Sequence, residues 1–352
     1  MTYKWFIEET ERQLTHLYPT QEGRAIAVKL LQHFCGISPY EHLVEPYGAI
    51  ATEHLPALEN AVLQLAAARP LQYVIGAQEF LGREFFVEEG VLIPRPETEE
   101  LVLWVLEYVK QMNYAEKSKI GMNNIGREGD DSIGEYELSS DERNVKNEDG
   151  ESQRVSIIDA CCGSGAIAVS LAASLPSAKV FAFDISEKAI EVTHRNCNAL
   201  LPDPSQVKVF KFDLLNIDDN KTDEKRNSLQ SNSLYEERGS ASSNIFQTPG
   251  QSDIIVSNPP YVTNSEKAAM RKNVLDYEPE EALFVPDDDP LIFYRALERF
   301  ATQYLRPGGS LFLEINERLG SEVVAIFGEA GYSQVTIKQD IFAKERMVYA
   351  RL

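Results

Sequence analysis

The residues Asn258-Pro259-Pro260-Tyr261 close the apolar run Ile254-Ile255-Val256-Ser257, and their types suit them to holding a planar NH2 group. Such a nitrogen is a poor nucleophile because its lone pair is delocalised, so it needs orientation more than a strong base. The Asn258 side-chain oxygen and the Pro259 carbonyl could each accept one of its hydrogens, and Tyr261 could stack on the planar group. Held in this way, the lone pair would face an electrophile in a near-attack geometry. Taken alone, the four residues could equally be a Pro-Pro turn that ends a strand.

A second group of residues follows another apolar run, Val155-Ser156-Ile157-Ile158. Asp159-Ala160-Cys161-Cys162-Gly163-Ser164-Gly165 is a turn of small residues that runs into a helix. Its glycines allow close backbone approach, and the helix start favours an anionic group. The next strand ends in Asp184, placed to accept from two ribose hydroxyls, and Asp213 after the third could accept from an adenine amine. Each aspartate alone reads as a solvated strand-end residue. Three at successive strand ends point to a nucleoside cofactor. A dinucleotide fingerprint would need Gly-x-Gly-x-x-Gly, but Cys161 stands at its first glycine and the third has no glycine. A methyl donor carrying carboxylate, ribose and adenine fits better.

These residues require a parallel sheet to position them. Strands are expected at 155–159, 179–184, 207–210, 254–257 and 310–314, the last after the turn Pro307-Gly308-Gly309. Helices are expected at 166–174, 187–199, 291–305 and 320–330. Two closing strands, 334–339 and 346–351, lack a helix between them and should form an antiparallel hairpin. The two prolines cannot continue a sheet ladder, so the chain leaves the sheet at Asn258, at the carboxyl end where open α/β sheets bind ligands.

Residues 1–70 carry helical patterning broken by Pro19, Gly36, Pro39, Pro46 and Pro56, which predicts a small helical bundle. Gln72 to Gly76 and Glu79 to Val87 read as a β-hairpin with Gly82 in its turn, a connector spanning 71–92. The extended segment Ile93-Pro94-Arg95-Pro96 then feeds a helix with acidic residues in its first turn and opens a domain over 93–352. Two stretches, 115–153 and 218–252, are rich in Asn, Ser, Asp and Glu and read as disordered insertions.

The composition bounds the function. The 352 residues are 43% hydrophobic and carry a formal net charge of −21. That charge argues against a direct nucleic-acid footprint. No run approaches the ~20 apolar residues of a membrane helix, and Met1 to Trp5 lack a signal-peptide core, so a cytosolic protein is expected. Cys35, Cys161, Cys162 and Cys197 match neither a disulfide framework nor metal spacing, so free thiols and no metal are expected.

Together these residues resemble the class I S-adenosylmethionine-dependent methyltransferases that act on planar nitrogen. The segments Ile93-Pro94-Arg95-Pro96-Glu97-Thr98-Glu99 and Tyr277-Glu278-Pro279-Glu280-Glu281-Ala282-Leu283-Phe284 narrow the resemblance to the release factor N5-glutamine methyltransferase (HemK/PrmC) family. It covers nearly the whole chain outside the two insertions. It implies a Rossmann-like, seven-stranded, mostly parallel sheet with a C-terminal antiparallel hairpin, preceded by a helical bundle that binds the protein substrate. It further implies methyl transfer from S-adenosylmethionine to the glutamine of the Gly-Gly-Gln motif in class I translation release factors. By that likeness Asp159, Cys161, Cys162, Gly163, Ser164, Gly165, Asp184, Asp213, Leu214 and Asn258 would contact the cofactor. Asn258, Pro259, Pro260 and Tyr261 would hold the glutamine amide. Cys161 stands where many members have glycine, Leu214 where some have an aromatic residue, and Ala343 replaces a common glycine near Arg346. An adenine-N6 DNA methyltransferase presents the same NH2 problem but would need a base-flipping surface. A non-catalytic cofactor-binding module would have no use for an intact Asn-Pro-Pro-Tyr turn.

Overall fold

Alternate residues of the buried strands face opposite sides of one sheet, and this alternation builds two apolar cores. The computed structural model describes residues 1–124, 154–217 and 252–352, with the backbone alone over 113–124. Its first helices are α1 (Tyr3–Leu14), α2 (Thr20–Cys35), α3 (Glu41–Val44), α4 (Leu55–Ala66) and α5 (Leu71–Ile75). The strands β1 (Ala77–Phe80) and β2 (Arg83–Phe86) form a hairpin, and α6 (Pro96–Asn124) follows. Then come β3 (Ser156–Ala160), α7 (Ala166–Ser174), β4 (Lys179–Asp184), α8 (Glu187–Leu200), β5 (Val207–Lys211) and β6 (Ser252–Ser257). Short elements succeed them: β7 (Val262–Thr263), α9 (Lys272–Leu275), α10 (Glu280–Leu283) and β8 (Phe284–Val285). The chain closes with α11 (Ile292–Tyr304), β9 (Leu305–Glu314), α12 (Gly320–Glu329), β10 (Gln334–Gln339) and β11 (Glu345–Arg351).

The main sheet has seven strands in the order β10-β11-β9-β6-β3-β4-β5. β5, β4, β3, β6 and β9 run parallel, while β11 pairs antiparallel with both β9 and β10. One face packs Ile157, Val180, Ile254 and Phe312 against Leu101 and Val105 of α6 and Leu171 of α7. The other packs Ile158, Ile255, Leu311 and Leu313 against Tyr294, Leu297 and Phe300 of α11 and Phe327 of α12. Helices therefore cover both faces, as a mostly parallel sheet requires. A separate core of Phe6, Leu14, Leu30, Leu31, Leu58 and Leu65 holds α1, α2 and α4 together.

Four sequence expectations change. Residues 72–75 are not strand: they lie in α5, set between Pro70 and Gly76, whose φ of 75° and N–H bond to Gln72 cap the turn. This helical turn buries Tyr73, whose hydroxyl donates to the Val91 carbonyl. The hairpin itself is only β1 and β2, joined by Leu81 and Gly82, both at positive φ. The strand β9 begins at Leu305 rather than after the Pro307-Gly308-Gly309 turn, because those residues form a bulge. Ser252 pairs with Leu305 and Ile254 with Ser310, and the Gly308 N–H donates to the Leu352 carbonyl. Finally, α6 runs through Asn124, so residues 115–124 of the first expected insertion are helical backbone, while Ser252 of the second opens β6. The remainders of both insertions, 125–153 and 218–251, lie outside the described residues.

Candidate active site

The carboxyl ends of four adjacent strands carry the polar groups. Asn258 follows β6, Cys161 to Gly165 follow β3, Asp184 ends β4 and Asp213 follows β5. The ends of β6 and β3 are joined by Ser257, whose hydroxyl donates to the Ala160 carbonyl at 2.7 Å. The loop after β3 turns sharply through Cys161, Gly163 and Gly165, all at positive φ. A side chain at Gly165 would strike Thr193 at 2.7 Å, whereas one at Gly163 would meet nothing within 4 Å and project into open space. Burial pushes the thiols of Cys161 and Cys162 well above their ordinary range, with Asp184 and Asp159 adding to the effect, so both are neutral.

Two aspartates differ in their state. Asp184 accepts from the Gly163 N–H at 2.9 Å and the Ser186 N–H at 3.0 Å, and so braces the loop. Burial raises its pKa, while these backbone N–H groups pull the other way. Asp159 is fully buried. One of its oxygens accepts from the Ala168 N–H at 2.9 Å, and the other, Oδ1, has no partner. Burial pushes its carboxyl well above the usual range, and Asp184 raises it further. An orphaned buried carboxylate oxygen is costly unless a cation or donor meets it. Asp213 accepts from the Leu215 N–H and from Asn216, and Leu214 is buried in the core beside Phe212 and Ile217.

The turn after β6 hangs from a single buried carboxylate. Glu314 ends β9 with 1% exposure. It accepts from the Thr98 hydroxyl at 2.6 Å and from the Tyr261 hydroxyl at 2.8 Å. Thr98 in turn accepts from Asn258 Nδ2 at 3.0 Å. Burial raises the Glu314 pKa, opposed by the two hydroxyls and by the guanidinium of Arg346. Asn316 donates to the Tyr261 carbonyl at 3.1 Å and to Glu266 at 2.9 Å, which fixes the exit from the turn. Pro259 and Pro260 are buried, and Tyr261 is half-buried.

Sequence reasoning assigned no site role to Thr98, Glu314, Asn316, Thr193 or Asn196. Thr193 donates to the Gly163 carbonyl at 3.0 Å. Asn196, fully buried, donates to Ser164 O at 2.8 Å and Phe86 O at 3.0 Å, and it accepts from the Phe86 N–H at 2.8 Å. The hairpin strand β2 is thereby tied to the loop after β3. Among the described residues, no group of three or more His, Cys, Asp or Glu could hold a metal ion, and no helix is long and apolar enough to cross a membrane.

This strand order and the polar groups at its carboxyl edge define a class I methyltransferase, whose cofactor is S-adenosylmethionine. A family described as "Methyltransferase domain" matches residues 157–227. A release factor glutamine methyltransferase of Flavobacterium psychrophilum is 34% identical over 99% of this chain and 98% of its own length. One of the same name from Bacteroides thetaiotaomicron is 33% identical over 96% of each chain. The chain belongs to the release factor glutamine methyltransferase family.

The residues present fit this cofactor. The open space beside Gly163 leaves room for a ligand against the backbone, and the unpartnered Asp159 oxygen suits a cationic or donor group. A testable consequence concerns pH. Because the folded-state pKa of Asp159 is raised, its ionisation destabilises the cofactor-free protein as pH rises from the ordinary carboxylate range through that raised value. Asp159→Asn is expected to remove this component, so melting temperatures measured without cofactor should fall less with pH in the variant than in the wild type. S-adenosylmethionine affinity, read by calorimetry, should rise with pH over the same window in the wild type and lose that dependence in the variant. Parallel melting curves would show that Asp159 does not titrate there.

Proposed function

We propose that this chain transfers a methyl group from S-adenosylmethionine to the side-chain nitrogen of the glutamine in the Gly-Gly-Gln motif of class I translation release factors, in the cytosol. The observation that carries the reading is the turn after β6: an Asn258 amide held by Thr98 beside a buried Pro259, at the strand end next to the glycine loop. When bound, S-adenosylmethionine supplies an electrophilic methyl group. Gly163 and Gly165 shape its hollow, with Asp159 and Asp184 as acceptors for its polar groups. Asn258 Oδ1 and the Pro259 carbonyl accept the two hydrogens of the glutamine NH2, aim its lone pair at the methyl and stabilise the positive charge that builds on nitrogen. Proton loss to solvent then completes the transfer. No strong base is required, in keeping with five histidines that lie between residues 16 and 54 or on the exposed side of α8.

The helices of residues 1–70 serve the protein substrate in this reading. Tyr40, Leu43, Val44 and Tyr47 expose between 63% and 78% of their surface, a cluster of apolar groups suited to a protein partner. The bundle touches the remainder of the chain through Arg271 to Glu22 at 2.7 Å and Tyr277 to the Ala67 carbonyl at 2.8 Å. The experiment is to incubate the chain with S-adenosylmethionine, a purified release factor and double-stranded DNA, followed by mass spectrometry. One methyl group on the Gly-Gly-Gln glutamine and none on adenine is expected. Methyl on DNA adenine with none on the release factor would overturn the reading.

A further inference from the structure

We infer that Thr98 is a positioning residue which, with Glu314 behind it, fixes which end of the Asn258 amide faces the substrate. The inference deepens the proposed glutamine reading and rests on it. A planar carboxamide can present either its oxygen or its NH2, and only the oxygen can take a hydrogen from another NH2. A 180° turn of Asn258 would set donor against donor.

With Glu314 ionised, the chain of hydrogen bonds has one direction. A carboxylate only accepts, so the hydroxyls of Thr98 and Tyr261 must both donate to Glu314, at 2.6 Å and 2.8 Å. A hydroxyl has one proton. With that proton on Glu314, Thr98 Oγ1 meets Asn258 with lone pairs alone and can take only its N–H, which it does at 3.0 Å. Asn258 Oδ1, the other end of the amide, is thereby left to accept from the substrate. The arrangement is rigid because Thr98 is 4% exposed and Glu314 is 1% exposed, with Thr98 on α6 and Glu314 at the end of β9. The segment leading to Thr98 is fixed as well: Glu278 accepts from the Ile93 N–H at 3.1 Å and from Arg95 at 2.6 Å. Both ends of the turn, Asn258 and Tyr261, are thus referred to the same carboxylate.

Thr98→Val keeps the shape and removes the hydroxyl, while Thr98→Ser keeps the hydroxyl and removes a methyl group. In the full chain, with S-adenosylmethionine and purified release factor, Thr98→Val is expected to lower kcat about 10- to 100-fold, the scale of a misoriented transition-state acceptor. The KM for release factor and the Kd for S-adenosylmethionine should change little, while the melting temperature should fall because the buried Glu314 loses one of its donors. Thr98→Ser should recover most of the turnover. Wild-type kcat in Thr98→Val would overturn the inference, as would equal losses in both variants or a loss carried by KM alone. Hydrogen exchange of the Asn258 side-chain NH2, followed by NMR in the wild type without cofactor, tests the orientation independently of any variant's folding. Protection of the N–H that Thr98 holds is expected, and free exchange would overturn it. A wild type that leaves the release factor unmethylated would instead reject the substrate reading, while the exchange measurement would still judge the orientation.

Discussion

Asn258→Ala is expected to lower turnover on the release factor by about 10²–10³-fold, the scale of losing one oriented transition-state hydrogen bond in an enclosed site. The substitution removes the acceptor beside Pro259, and it also leaves Thr98 Oγ1 without the N–H it takes at 3.0 Å. The Pro259 carbonyl alone can hold one hydrogen of an NH2 but cannot set its plane. Because Asn258 stands next to the loop after β3, S-adenosylmethionine binding must be measured on the same variant. A fall in kcat with nearly unchanged cofactor Kd is the expected pattern. Turnover within a few-fold of the wild type would remove Asn258 from the chemistry.

Asp184→Ala is expected to weaken S-adenosylmethionine binding by roughly 1.5–3 kcal/mol, the worth of charge-assisted hydrogen bonds. That corresponds to a Kd higher by about 10- to 150-fold. Two effects act in the same direction. Where Asp184 serves as the proposed ribose acceptor, the variant loses it, and it also frees the Gly163 N–H that the carboxylate holds at 2.9 Å, loosening the glycine loop. Calorimetry decides the matter: unchanged affinity in a folded variant would mean that Asp184 only braces the loop.

The parallel strands were legible because each is built around a short run of apolar residues and is followed by a polar turn. Ile254 to Ser257 reads as a central strand because a short apolar run stops at two prolines, and every residue of β6 is buried. That the glycine loop, Asp184 and the Asn-Pro-Pro-Tyr turn stand at strand ends was legible because each directly follows or closes an apolar run. What the sequence hid were contacts across great separation. Thr98 and Glu314 lie 216 residues apart and Phe86 and Asn196 lie 110 apart, and no local pattern joins them. A weaker signal did exist, for a carboxylate closing the run Leu311-Phe312-Leu313 must be buried and hence partnered. The misread segment at 72–75 has strand-like Tyr, Val and Ile, but Pro70 and Gly76 bracket one helical turn, and those caps outweighed propensity.

The two consecutive prolines of the turn have a consequence for fidelity. Neither Pro259 nor Pro260 has an N–H, and one N–H of the Asn258 amide is held by Thr98, so the Asn258 oxygen and the Pro259 carbonyl meet a visitor with lone pairs. Glutamate, the near-isostere of glutamine, would bring oxygens against oxygens there. A site that must leave its polar groups unpaired rejects such a mimic far more strongly than one that merely lacks room for it. Where the reading of this site as a glutamine pocket holds, a deamidated release factor would be excluded by repulsion, and methylation would mark only chains whose amide is intact.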